Sequence, residues 1–268
     1  MRLFSSDELK SFQLEMLKKV ADFCESRNLA YYLAYGTLLG AVRHKGYIPW
    51  DDDIDIVMPR KDYDVFLNTF NGQISNLMVA APELYPGYYA PYANVYDDRT
   101  LLEEDIVSHC GFRIGVKIDI FPLDYVPSDK QLYSGMWRRS KSDTQKLFVK
   151  TKKLSYGSVI ERIKLFIKKM QYLFYSVKSI QKHHLELIED CKSQSDDKFV
   201  DVIAITWRRE QITPADYYYP ASQLFFEGYE FNVPNEYDKV LRIIYGDYMQ
   251  LPPESERTAK HCFKAYWK

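Results

Sequence analysis

The spacing of apolar residues along this chain changes from a helical period to a strand-like one. From about residue 7 to residue 27 apolar side chains recur every three or four positions, which predicts an amphipathic helix that Ser5, Ser6 or Asp7 can cap. Shorter apolar segments further along are typical of strands, and Gly36-Thr37 is typical of a tight turn. The pattern predicts helices over residues 7–27, 38–43, 60–70 and 235–245, strands over residues 31–35, 53–58, 77–81, 92–96, 101–104 and 115–120, and a hairpin over residues 225–233.

An acidic run interrupts the apolar pattern after Trp50. It places four carboxylates within five residues, and two of them, Asp53 and Asp55, alternate with isoleucines. In a strand these two carboxylates point to the same face while the isoleucines enter the core. Asp51 and Asp52 are the members of the run expected to take no direct part in a site.

A third acid repeats the pattern on a later predicted strand. Asp119 lies between Ile118 and Ile120. A carboxylate among buried apolar residues is costly to desolvate unless it is paired or binds a metal ion. Pairing of this strand with the strand of Asp53 and Asp55 would bring three carboxylates together, and Mg²⁺ is the cation that such oxygen ligands suit.

The composition indicates a globular protein with a sizeable core. The chain has 268 residues, 46% of them apolar, and its net charge of -1 argues against general nucleic-acid binding. The four cysteines are far apart, so neither a zinc site nor a disulfide framework is indicated. We find no signal-peptide core and no apolar stretch of membrane-spanning length, and therefore expect a cytoplasmic protein.

Positive charge is concentrated in one segment, residues 128–184. This segment has 14 Lys and Arg against 3 acids, a net charge of +11, so the rest of the chain carries about -12. Apolar residues from 160 to 180 recur every three or four positions between lysines and arginines, which predicts one amphipathic basic helix. Two interpretations stay open: the apolar stripe packs on the core, or the helix binds an anionic membrane surface at the inner face of the cell membrane.

Two sequence segments together resemble a known family. They are YGTLLGAVRHKGYIPWDDDIDI, residues 35–56, and IDIFPLD, residues 118–124. Their glycine-threonine turn, paired acids and later third acid resemble the nucleotidyltransferase superfamily, and the segments as a whole resemble the bacterial branch of the LicD family of phosphocholine transferases. The resemblance implies an α+β fold: a nucleotidyltransferase-like palm with a mixed β-sheet flanked by helices, a basic helical insertion and a C-terminal hairpin-helix segment. We place the catalytic core at residues 1–127, the insertion at 128–190 and a C-terminal segment that completes the core and the substrate site at 191–268.

The resemblance also implies a role for individual residues. Asp53, Asp55 and Asp119 are expected to be catalytic and to bind two Mg²⁺ ions, with Mn²⁺ as the alternative metal. Whether Asp119 also accepts a proton stays open. The residues expected to bind substrate are Gly36, Thr37, Arg43, His44, Lys45, Glu227, Arg257 and His261.

The implied reaction is Mg-dependent transfer of phosphocholine. The donor would be CDP-choline, the acceptor a sugar hydroxyl of a lipid-linked cell-surface glycan precursor of the teichoic acid or lipopolysaccharide type, and CMP would leave. A quaternary ammonium binds to aromatic faces, and clustered aromatic residues around Tyr85–Tyr96, Trp207 and Tyr217–Tyr219 offer them. The alternatives are transfer of ribitol phosphate or glycerol phosphate, nucleotidyl transfer, and a non-enzymatic metal-binding membrane adaptor.

Overall fold

The computed structural model describes residues 1–205, 211–258 and 263–268 of the chain. In this part of the chain the α-helices are α1 (Ser6–Ser26), α2 (Tyr35–Arg43), α3 (Arg60–Thr69), α4 (Lys130–Thr151), α5 (Val159–Gln171), α6 (Val177–Ser193) and α7 (Tyr237–Tyr245). The strands are β1 (Arg2–Leu3), β2 (Tyr32–Leu33), β3 (Asp55–Pro59), β4 (Leu77–Ala80), β5 (Ala93–Asp97), β6 (Thr100–Glu104), β7 (Lys117–Val126), β8 (Phe199–Asp201), β9 (Thr213–Pro214), β10 (Ser222–Phe226), β11 (Tyr229–Val233) and β12 (Phe263–Trp267).

A mixed sheet forms the centre of the molecule, with the strand order β2-β3-β7-β5-β4. Its middle pair, β3 and β7, is parallel, and the outer pairs are antiparallel. The far end of β7 also pairs with β8, which in turn pairs with β9. Helices pack around this sheet, so the predicted α+β fold is confirmed.

The N-terminal helix α1 packs its apolar stripe on this sheet. Ser5 caps the helix, since its side chain accepts a hydrogen bond from the backbone N–H of Glu8 at 3.2 Å. Leu17 and Val20 are fully buried and belong to the same apolar cluster as Ile118 of β7. The prediction of an amphipathic helix at this position is confirmed.

Two predicted boundaries near the acidic run are wrong. Gly36 and Thr37 form the first turn of α2 rather than a separate tight turn. Strand β3 begins at Asp55, so Asp53 precedes the strand, because pairing with β7 starts at the register Asp55 to Asp119.

Two smaller sheets complete the fold. Strands β1, β12 and β6 form one antiparallel sheet that joins the two ends of the chain. Strands β10 and β11 form the predicted hairpin, with Gly228 at its turn in a left-handed conformation, φ +81°.

The basic segment contains α4, α5 and the start of α6, and the apolar stripe from residue 160 to residue 180 forms two helices in place of the one predicted. The stripe divides at residues 172–176, between α5 and α6. Helices α4 and α6 pack on the end of β7, where Tyr133, Leu187 and Val126 are fully buried in one cluster. In α5 only Leu165 is buried, so the packing interpretation holds for α6 and not for α5.

A buried ion pair joins α3 to the end of β7. Arg60 donates two hydrogen bonds to Asp124, at 2.6 and 3.2 Å, and a third to Glu83 at 3.1 Å. The side chains of Arg60 and Asp124 are only 9% and 2% exposed. Asp124, the last acid of the IDIFPLD segment, is therefore used to hold the fold together.

A buried histidine in α6 predicts a loss of stability in acid. His184 is 5% exposed, neither ring nitrogen has a hydrogen-bond partner among the described residues, and burial lowers its pKa to about 4. The unfolded chain binds this proton near pH 6.5, so the free energy of unfolding should fall by about 2 kcal/mol between pH 7.5 and pH 5. The variant His184→Leu should lose this contribution.

Urea unfolding of the wild type and of His184→Leu at both pH values measures the effect. Taking the difference between the two proteins at each pH removes the contribution of the other titrating groups. If the difference in unfolding free energy is the same at pH 7.5 and pH 5, His184 is not buried in its neutral form.

Candidate active site

Two carboxylates from distant parts of the sequence lie side by side at the centre of the main sheet. Asp55 is the first residue of β3, and its register partner on the parallel strand β7 is Asp119. Neighbouring strands lie about 4.8 Å apart, and side chains at paired positions point to the same face. The expected meeting of these two acids is therefore found in the structure.

The acidic run before β3 forms a cluster of its own. One carboxylate oxygen from each of Asp51, Asp52 and Asp53 lies within 4.8 Å of the other two, and among the described residues only this group meets that distance. Asp51 and Asp52, expected to take no direct part, thus lie beside Asp53, and neither Asp55 nor Asp119 belongs to this group.

Asp119 is held by three polar side chains. Lys117 Nζ lies 2.7 and 3.0 Å from its two carboxylate oxygens, Asn94 Nδ2 donates to it at 2.5 Å, and the Tyr92 hydroxyl donates at 3.4 Å. Burial alone would lower the pKa of Lys117, but the combined effects of Asp119, Tyr92 and Glu104 outweigh it and raise this pKa well above its usual value. Lys117 is therefore a permanent positive charge beside Asp119.

Asp55 is in the opposite electrostatic situation. Burial raises the pKa of its carboxyl group well above the usual range, and repulsion from Asp53 and Asp119 raises it further. A cation next to this carboxylate would relieve that repulsion. Carboxylate oxygens are the ligands that Mg²⁺ and Mn²⁺ take, so Asp53, Asp55 and Asp119 are by their chemistry the residues that would hold such an ion. In this structure the three carboxylates do not all lie within 4.8 Å of one another.

The first turn of α2 is pressed against these acids. Thr37 Oγ1 accepts a hydrogen bond from the backbone N–H of Asp55 at 2.9 Å. A Cβ atom on Gly36 would lie 2.3 Å from a carboxylate oxygen of Asp51, so a larger residue there would displace the Asp51 side chain. Tyr35 starts the helix with φ +44°, an uncommon value for a residue with a side chain. Gly36 and Thr37 thus fix the position of the acidic run relative to the helix.

Three of the expected substrate-binding residues form a basic group around Trp50. His44 Nε2 accepts a hydrogen bond from Arg43 Nε at 3.0 Å, and the Arg257 guanidinium lies 5.7 Å from the centre of the Trp50 ring. Burial lowers the pKa of Arg43, and repulsion from Arg257 adds to this effect. Burial and the charge of Arg43 also lower the pKa of His44. Two guanidinium groups held this close together are suited to binding phosphate oxygens, and His44 orients that of Arg43.

Glu227 holds the loop that follows α2. Its carboxylate accepts from the backbone N–H of Tyr47 at 2.9 Å, and its own N–H donates to Lys45 O at 2.9 Å. A Cβ atom on Gly46 would lie 2.1 Å from the Glu227 carboxylate. The structure thus gives Glu227 a positioning contact and leaves the Lys45 side chain exposed. His261 lies outside the described residues.

A cavity of about 900 Å³ opens beside the acids. Asp53 and Asp119 lie on its wall together with Lys117 and Glu104, and the opposite wall comes from α4, α5 and the segment between them. The residues contributed by that opposite wall are Lys141, Thr144, Gln145, Leu147, Phe148, Val149, Thr151, Lys152, Tyr156, Lys168 and Tyr172.

Only part of the expected aromatic cluster faces this cavity. Tyr89 and Tyr92 line it, whereas Tyr88 is fully buried and donates a hydrogen bond to Asn94. Tyr218 packs against Tyr32 in a different part of the core. Trp207 lies outside the described residues. Tyr89 and Tyr92 are thus the tyrosines of these clusters that lie near the acids.

Sequence reasoning missed Lys117, Asn94 and the contribution of α4 and α5 to the cavity. Lys117 lies two positions before Asp119 in a predicted strand, so strand alternation was a usable signal for it. Asn94 lies opposite Asp119 on the antiparallel neighbour β5, and strand order is not encoded in any local pattern.

Comparison with known proteins relates the acidic site to one family. The nucleotidyltransferase-domain model of the LicD/FKTN/FKRP family matches residues 28–150, which include α2, β3 and β7. The lipopolysaccharide cholinephosphotransferase LicD of Haemophilus influenzae is 28% identical, and the alignment covers 94% of each chain. An uncharacterised protein of Rickettsia prowazekii is 33% identical over 96 residues, which cover 36% of this chain and 32% of that protein.

Proposed function

This chain belongs to the LicD family and is a transferase, and on this premise we propose that it moves phosphocholine from CDP-choline to a sugar hydroxyl of a cell-surface glycan precursor, with release of CMP. The relative that aligns over 94% of both chains is a lipopolysaccharide cholinephosphotransferase, which supports choline as the group transferred and lipopolysaccharide as the acceptor type. Similarity to an enzyme over 94% of the chain supports catalysis over the alternative of a non-enzymatic adaptor.

The observation that carries the proposal is the pairing of Asp55 with Asp119 next to Asp53. In phosphoryl transfer, negative charge on the phosphate oxygens must be neutralised, and carboxylates do this through divalent cations. When bound to these acids, Mg²⁺ would supply that neutralisation. The residues themselves fix the geometry, because Thr37 anchors the start of β3 and Lys117 anchors Asp119.

We assign the donor's diphosphate to the basic group of Arg43, His44 and Arg257. Arg43 Nη1 also donates to Tyr248 O at 2.9 Å, and Arg257 Nε donates to Pro252 O at 2.8 Å, so both guanidinium groups are held in place. Pre-positioned donors of this kind bind phosphate oxygens without a large ordering cost.

We assign the choline end of the donor to the cavity beside Asp119. A quaternary ammonium group is attracted to aromatic faces, by up to about 2 kcal/mol where water is excluded. Tyr89 and Tyr92 supply such faces, and the cavity carboxylates add attraction for the positive charge.

In the proposed reaction a sugar hydroxyl attacks the phosphorus that carries choline. A new bond forms from this phosphorus to the sugar oxygen, the bond to the CMP phosphate oxygen breaks, and the hydroxyl proton passes to a carboxylate. Asp119 lies on the cavity wall, where it can accept this proton or hold a metal ion. We favour metal binding, because Lys117 already stabilises its charged form.

A donor panel tests the function. The full chain is incubated with Mg²⁺, lipopolysaccharide acceptor and, in turn, CDP-choline, CDP-glycerol and CDP-ribitol, and CMP release is measured with and without EDTA. We expect fast, EDTA-sensitive CMP release from CDP-choline, and phosphocholine on the glycan by mass spectrometry. CMP release from CDP-ribitol or CDP-glycerol but not from CDP-choline would show that another alcohol phosphate is transferred. Replacing lipopolysaccharide with teichoic acid in the same assay tests the other type of glycan acceptor.

A further inference from the structure

One face of helix α5 is apolar and turned to solvent. Its large apolar side chains are more than half exposed, although α5 belongs to a segment that otherwise packs on the core. They are Val159, Ile160, Ile163, Phe166, Ile167 and Met170. The surface continues beyond the helix with Leu173 and with Phe174, which is 96% exposed. Monomeric proteins rarely leave a continuous apolar surface of this kind uncovered.

The exposed face lies opposite the side by which α5 is attached to the protein. Successive residues of a helix are turned by about 100°, which places Leu165, the one buried residue of α5, across the helix from Ile163 and Met170. On the attached side Lys169 Nζ also donates to Lys150 O at 2.8 Å. The apolar face is therefore held in its outward orientation.

Both ends of helix α5 are stabilised by residues of the helix and its N-cap. Ser158 and Glu161 make a reciprocal capping box at its start, in which each side chain bonds to the other residue's backbone N–H. Its last turn contains Lys168 and Lys169, which interact favourably with the helix C-terminus.

Basic residues border the apolar face on both sides. Arg162 and Lys164 are exposed and, by helical spacing, lie on opposite edges of the face. The single acid of α5 is Glu161, which is engaged in the capping box. The whole segment from 128 to 184 carries a charge of +11. An apolar face bordered by positive charges complements a surface with an apolar interior and a negatively charged outer layer.

We propose that α5 and the turn that contains Phe174 lie in the interface of an anionic lipid bilayer. The apolar side chains would enter the boundary between headgroups and acyl chains, while Arg162 and Lys164 would contact lipid phosphates. Among the described residues no helix is long and apolar enough to cross a membrane. The proposal stands independently of the reaction assigned to the active site.

The same helix forms a wall of the catalytic cavity. Lys168 and Tyr172 line that cavity from the attached side of α5. Only the thickness of one helix, about 10 Å, would thus separate the bilayer from the cavity. An acceptor held by a lipid would be presented beside the acids.

Vesicle sedimentation with the full chain tests the proposal. We expect binding to phosphatidylcholine vesicles that contain phosphatidylglycerol, with a bound fraction that rises with the phosphatidylglycerol content and falls as NaCl is increased. The double variant Ile163→Ser/Phe166→Ser should bind about tenfold or more weakly, and Arg162→Gln/Lys164→Gln should lose the salt-sensitive part. Both changes are at exposed positions, and unchanged thermal unfolding would verify the fold.

A matched control removes apolar side chains elsewhere. Met249 and Leu251 are also about half exposed, and Met249→Ser/Leu251→Ser should bind vesicles like the wild type. Equal binding by the wild type and Ile163→Ser/Phe166→Ser would overturn the proposal. So would light scattering that shows a dimer of the wild type and a monomer of Ile163→Ser/Phe166→Ser, because a second copy would then cover this face.

Discussion

The variant Asp55→Asn is expected to lose transferase activity about a thousandfold while becoming more stable without metal. The loss in kcat/KM corresponds to about 4 kcal/mol of transition-state stabilisation, of the size expected when a ligand of the proposed catalytic ion is removed. The gain in stability arises because burial and the neighbouring acids disfavour the Asp55 carboxylate, as its raised pKa indicates. The neutral amide has no such repulsion, so the free energy of unfolding in EDTA should rise by about 1 kcal/mol.

The neighbouring variant Asp119→Asn should lose activity to a similar extent but change stability in the opposite direction. Its carboxylate is the ion-pair partner of the largely buried Lys117. Removing the negative charge leaves that ammonium unpaired, which should lower the free energy of unfolding by about 2 kcal/mol. Two acids that are register partners on adjacent strands thus make opposite contributions to the folded state.

Thermal unfolding in EDTA and steady-state CMP release, measured on the same preparations, check both variants. Asp98→Asn, at an exposed turn, is the matched control and should leave both quantities unchanged. Near wild-type turnover by Asp55→Asn would contradict the role assigned to this carboxylate. A higher melting temperature of Asp119→Asn would contradict the ion pair with Lys117.

The second large effect concerns folding alone: Asp124→Ala should lower the free energy of unfolding by about 3 to 5 kcal/mol. The change removes the buried partner of Arg60 and leaves a guanidinium group with too little compensating charge in the core. For a chain of this length the loss corresponds to a fall in melting temperature of about 10 °C.

Another partner of the same arginine provides the control for Asp124→Ala. Asp64 lies 3.5 Å from Arg60 Nη1, but its side chain is 49% exposed, so Asp64→Ala should change stability by less than about 1 kcal/mol. The double variant Arg60→Met/Asp124→Leu should recover much of the stability, since it removes both buried charges together. Equal denaturant midpoints for Asp124→Ala and the wild type would contradict the structural role of this ion pair.

The parts of the site that depend on alternation within one strand could be predicted from the sequence. The parts that depend on the order of strands in the sheet could not. The pattern of acids and isoleucines predicted that Asp55 and Asp119 face the same side of paired strands, and the register places them opposite each other. The position of Asp53 before the strand, and the cluster it forms with Asp51 and Asp52, depend on the path of a loop. Asn94 reaches Asp119 only because β5 is the other neighbour of β7, which no local pattern encodes.

In the basic insertion, too, the local pattern was predictable and the tertiary contacts were not. The spacing of apolar residues in the basic segment predicted amphipathic helical structure, and helices α5 and α6 are found there. The break at 172–176 and the packing of α6 but not α5 depend on tertiary contacts, so one continuous stripe was predicted where two helices with different environments are found. The structural role of Asp124 could not be predicted from the sequence either, because its partner Arg60 is 64 residues away and only the fold brings the two together.

The parallel pairing of β3 with β7 determines when the acidic group is complete during synthesis and folding. Asp55 leaves the ribosome well before Asp119, and the two meet only after helix α3 and three further strands have been made and a long chain segment has been closed. A nascent or truncated chain therefore carries one half of the carboxylates without the other. With the proposed metal binding, stabilisation by divalent cations should report completed folding, and a partly folded chain should be unable to react with the proposed donor.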